Sequence, residues 1–126
     1  MDEQPGSRAG EDLPMANLGM LSLGIRDAGV LYAYYMPWVR GGGLFIPTQR
    51  RYRLGDEVFL LLHLMNEPER IPVVGKVVFI SPHQGENRRP QGIGIQFDDK
   101  EGKSIRERIE RYLVAYRDSK QPTQTF

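Results

Sequence analysis

Between Leu18 and Phe97 every apolar run is cut short by a turn signal, and this punctuation confines most of the chain to short strands. The first run, "LGMLSLGIRD", closes on Asp27-Ala28-Gly29. "VLYAYYMPW" reads as a second, aromatic strand, and Pro37 argues that it ends at an edge or in a loop. Gly41, Gly42 and Gly43 follow, then "LFIPT", interrupted by Pro47. Leu54-Gly55-Asp56 is a tight turn before "VFLLLHLM", a nearly continuous apolar run expected to be buried on both faces. Asn66-Glu67-Pro68-Glu69 makes the next loop, and Gly75 within "IPVVGKVVFI" suggests a bulge or bend. After the long turn "SPHQGENRRPQG", Ile93, Ile95 and Phe97 alternate with Gly and Gln, the period of a half-buried strand.

The last segment changes period. Ile105, Ile109, Tyr112, Leu113 and Tyr116 form one apolar stripe of a helix over about 102–117, and Ser104 with Glu107 has capping-box spacing. Roughly six short strands and one amphipathic helix point to a small antiparallel barrel or sandwich with the helix laid across it. A chain of 126 residues is long enough to build one such core unaided. The expected organisation is a polar leader over 1–16, a domain over 17–118 and a flexible tail over 119–126.

Composition removes several functions. There is no cysteine, which excludes disulfides, zinc–thiolate centres and cysteine nucleophiles. Seventeen basic and sixteen acidic residues leave a net charge of +1, a poor footprint for nucleic-acid binding. Arg50, Arg51 and Arg53, and Arg88 and Arg89, are local clusters expected at solvated strand ends and turns. No apolar run has the length that spans a bilayer, and "MDEQPGSRAGEDLP" lacks the features of a signal peptide, so the expected location is cytoplasmic without membrane insertion. His63 lies within an apolar run, as core histidines do, and His83 lies in a turn; the two are not at metal-ligand spacing. Ser22, Ser81, Ser104 and Ser119 lack a nucleophile-elbow context. The expectation is no enzyme, no metal and no cofactor.

The segments "GGGLFIPT", "YRLGDEVFLLL", "IPVVGKVVFISP" and "QGIGIQF", in this order and spacing, resemble the PilZ domain family. The likeness is strongest to its type IV pilus-assembly branch, whose members are similar at "LYAYYMPW" and at the terminal "QPTQTF". The resemblance implies a six-stranded antiparallel β-barrel with a C-terminal α-helix. Most PilZ domains bind cyclic di-GMP through an RxxxR arm and a [D/N]xSxxG motif, in which arginines pair with phosphates and the polar side chains bond the base edges. Aligning Gly43 with the motif glycine puts Trp38 at the Asp/Asn position and Arg40 at the Ser position. Upstream, Arg8 and Arg26 each lack an arginine four residues away. The glycines thus read as a corner that has lost the polar side chains of a ligand loop.

The pilus branch resembles adaptors rather than receptors. It implies a link between the assembly ATPase of type IV pili (PilB-type) and a FimX-type regulator with GGDEF and EAL domains, in twitching motility, without nucleotide bound by the adaptor itself. The alternative is a cyclic di-GMP receptor with a degenerate motif. As a strand, "LYAYYMPW" would point Tyr32, Tyr34, Met36 and Trp38 one way and Tyr35 the other, more ring surface than one edge can bury. Tyr32, Tyr35, Met36 and Trp38 are therefore the expected partner-binding residues, with Tyr32 foremost. Pro122, Thr123 and Thr125 of the tail are expected to add a docking segment.

Overall fold

The structure, a computed structural model, describes residues 20–82 and 90–120. The leader, residues 83–89 with His83, Arg88 and Arg89, and Pro122, Thr123 and Thr125 of the tail lie outside the described residues.

The chain is mainly β: a curled half-barrel sheet with a C-terminal helix. The strands are β1 (Met20–Ile25), β2 (Gly43–Pro47), β3 (Glu57–Leu64), β4 (Ile71–Ser81) and β5 (Gly92–Phe97), with helices α1 (Ala28–Tyr34) and α2 (Gly102–Lys120). The sheet order is β1-β3-β4-β5-β2. Two expectations are thereby corrected. The described residues hold five strands, not six, and the sheet is mixed, because β1 pairs parallel with β3 while the other pairs are antiparallel. The parallel pair follows from connectivity: α1 and β2 lie between the two strands in the chain and supply the crossover that parallel neighbours need.

The missing strand is the aromatic segment. "AGVLYAY" is helical because Asp27 caps it, its Oδ1 accepting from the backbone N–H groups of Gly29 at 2.6 Å and Val30 at 3.4 Å. Leu31, wholly buried, fixes the helix to the core, and the chain returns to extended backbone at Tyr35, which bridges to Leu44. The turn signal read at Asp27-Ala28-Gly29 is thus a helix start, and β-propensity loses to a cap and one anchor.

β3 also differs from its expectation. Val58, Leu60, Leu62 and Leu64 are buried, while Phe59 is exposed and His63 only half-buried, so one face meets the core. Gly75 is a close approach to the Gln96 carbonyl rather than the bulge, which falls at Val77–Phe79. α2 begins at Gly102 and runs to Lys120, so Ser104 sits inside the first turn and not at the cap. Ile105 and Ile109, both buried, lay this helix on the core formed by the inward residues of the strands. Arg108 and Tyr112 hold it from the side by bonding the Glu67 carboxylate, Tyr112 at 2.5 Å. That bond favours the neutral phenol and raises the Tyr112 pKa.

Candidate functional site: an aromatic groove between the two helices

After α1 the chain makes two turns in succession. The Val39 N–H bonds the Met36 carbonyl at 3.2 Å, which places Pro37 and Trp38 at the corners of the first. The Gly42 N–H bonds the Val39 carbonyl at 2.7 Å, and Gly41 at φ +80° occupies the third position, as a type II turn requires. Gly43 then enters β2.

These turns separate the three motif positions. Trp38 points to solvent, 75 % exposed. Arg40 borders a separate polar cleft of about 580 Å³ with Lys76, Glu57, Asp98 and Asp99, and its carbonyl accepts from Gln96 Nε2 at 2.8 Å. Gly43 is buried, with space for a β-carbon filled by the Ile95 carbonyl and the Met36 methyl. The three do not converge on one ligand. Three carboxylates and two cations line that cleft, a balance that opposes an anionic ligand.

The larger feature is an open groove of about 910 Å³ between α1 and α2. α1 and the turn supply Tyr32, Ala33, Tyr35, Pro37 and Trp38; α2 supplies Glu110, Leu113, Val114, Tyr116 and Arg117. The Tyr32 and Tyr116 rings, one from each helix, meet at 6.2 Å between centroids, tilted by 40°. Tyr32 remains 67 % exposed and Val114 45 %. Between the helices, the Tyr35 hydroxyl donates to Glu110 Oε2 at 2.6 Å. Burial, then this bond to a carboxylate, pushes the Tyr35 pKa far above the ordinary phenol value, so the ring stays neutral.

Of the four residues expected to bind a partner, Tyr32 and Trp38 offer exposed rings to the groove. Tyr35 and Met36 are buried: Tyr35 joins the core and reaches Glu110, while Met36 packs over Gly43 and Gly94. Of the two, only Tyr35 lines the groove. The strand alternation that grouped Met36 with Tyr32 fails because the segment is a helix followed by a turn.

The α2 wall was not singled out from sequence as part of a site. Its signal was present in the apolar stripe, since Leu113 and Tyr116 continue it past Ile109, the last wholly buried position. Val114 lies off the stripe and had no signal.

Among the described residues there is no cluster of His, Asp or Glu that could hold a metal, and no helix long and apolar enough to cross a membrane. Compared with known families, residues 20–115 match the PilZ domain. No curated protein matches the chain.

Proposed function

The chain belongs to the PilZ domain family, whose members are binding or adaptor domains rather than enzymes, and from that premise we propose that it is a cytoplasmic adaptor for type IV pilus biogenesis and twitching motility. In this reading it links the pilus assembly ATPase to a FimX-type GGDEF-EAL regulator and binds no cyclic di-GMP itself. The observation that carries it is the exposure of Tyr32 and Trp38 on an apolar groove, with Trp38 standing at the motif position where a nucleotide-binding member would carry Asp or Asn. Exposed Tyr and Trp beside a concave apolar surface suit protein docking, where truncating one ring commonly costs about 2 kcal/mol or more.

The test is binding of the purified ATPase and of the regulator to the domain. Tyr32→Ala should weaken one of them at least about tenfold while the melting temperature stays put. Unchanged binding of both partners would remove the groove from the interface. Calorimetry with cyclic di-GMP should show no low-micromolar binding, because several charge-assisted hydrogen bonds of about 1.5–3 kcal/mol each are missing. The tail residues Pro122, Thr123 and Thr125 serve as a second docking element in this proposal. Deleting 121–126 should then abolish twitching with little change in stability.

A further inference from the structure

The groove's lining says what kind of segment it takes. The rings of Tyr32, Trp38 and Tyr116 line it beside the ring of Pro37, with Ala33, Leu113 and Val114 between them and Tyr35 buried beneath. Grooves lined by aromatic rings suit proline, whose ring stacks flat on aromatic faces. A polyproline II segment is also ordered before it binds, so little chain entropy is lost on docking.

The charges on α2 add a polarity. Glu110 and Arg117 stand on the same groove wall, seven positions apart and therefore about 10.5 Å along the axis. One polyproline II turn of three residues spans about 9.3 Å, so side chains one turn apart on such a segment meet both charges. The Tyr35 hydroxyl uses one acceptor position of the Glu110 carboxylate and holds it in place, with the remaining lone pairs available to a cation. Along the same wall the Arg117 side chain is 67 % exposed, its Nε 3.9 Å from Asp118 Oδ1.

Resting on the docking reading above, we propose that the groove binds an extended, proline-bearing segment of a partner protein, with a basic residue set against Glu110. The pairing with Glu110 fixes its direction along the groove.

Trp38, the single tryptophan, reports occupancy by its emission. The probes are three synthetic peptides: ARPLPPLPA, its proline-to-alanine version ARALAALAA, and the charge-reversed AEPLPPLPA. On the full chain, ARPLPPLPA should give a saturable shift, with both other peptides at least about tenfold weaker. Tyr32→Ala should lower affinity for ARPLPPLPA about tenfold. Glu110→Gln keeps an acceptor for Tyr35 but removes the charge, so it should erase the preference for ARPLPPLPA over AEPLPPLPA. The inference fails if the alanine peptide, or a leucine-rich amphipathic helical peptide, binds as tightly as the prolyl one. It also fails if no prolyl peptide binds.

The two readings separate cleanly. Loss of ATPase or regulator binding in Tyr32→Ala, with no prolyl binding in the wild type, leaves the docking surface standing and removes its proposed ligand. Prolyl binding with partner binding untouched by Tyr32→Ala does the reverse.

Discussion

A β-carbon at Gly43 would lie 2.5 Å from the Ile95 carbonyl oxygen and 3.0 Å from Met36 Cε, so strand β2 could not keep its pairing with β5. Gly43→Ala should destabilise the domain by about 2 kcal/mol or more, read as a lower urea midpoint at unchanged slope. The glycine at the motif position thus serves packing here, and its presence says nothing about a ligand. Tyr35 gives a pH-dependent prediction. Its folded pKa is raised by burial and by Glu110, above an unfolded value of 10.0. The folded state therefore keeps a proton that the unfolded chain releases. The stability linked to Tyr35 is fully present below pH 10 and is lost as the pH rises through the folded value. Between pH 8 and 11 the wild type should lose more stability than Tyr35→Phe. Equal losses in chemical denaturation at the two pH values would show that the hydroxyl carries no linkage.

At the scale of elements, α1 is where reading by pattern failed and the structure explains why. "VLYAYY" has strand propensity, yet a helix of seven residues forms because its ends and one contact decide it: Asp27 at the start, Leu31 in the core, the extended Tyr35 at the end. A cap and a turn share the same residue types, so Asp27-Ala28-Gly29 could be read either way from sequence. Asp27→Ala should cost about 1 kcal/mol and loosen the first turn of α1. Amide exchange at Val30 and Leu31 should speed up, while the β3–β4 amides should be unaffected. Where one periodicity dominated, elements were legible: β5 forms where it was read, and the α2 stripe gave the helix within a few residues of its end. But β5 is not half-buried, because Gly92 to Ile95 are all buried and only Gln96 is half-buried. Faces and partners were less legible. Phe59 and Leu61 made β3 look buried throughout, although apolar residues on an outward face are common on protein surfaces. The parallel β1–β3 pair depended on a crossover that existed only once α1 was recognised as a helix.

Across the whole molecule, α2 has two faces with two duties. Ile105 and Ile109 cover the core, and Glu110, Leu113, Val114, Tyr116 and Arg117 form the groove wall. The groove was half legible in sequence: Tyr32 and Trp38 were found from their excess of rings, but a site made by two elements distant in the chain needs the tertiary arrangement before its second wall can be seen. Sharing one helix between lid and wall makes stability and binding separable by mutation. Ile109→Ala removes a wholly buried side chain and should cost about 2–5 kcal/mol, the range for a cavity left in a packed core. Tyr32→Ala removes a side chain that is 67 % exposed, so its stability cost should stay within about 0.5 kcal/mol, while partner binding falls. Urea unfolding followed by far-UV circular dichroism distinguishes them. A matching helix-specific transition in Ile109→Ala, with the sheet still melting as in the wild type, would mean that α2 is appended to the half-barrel. A single transition lowered as a whole would mean that the sheet and helix fold as one unit, as the continuous core through Ile109, Val58 and Leu62 requires.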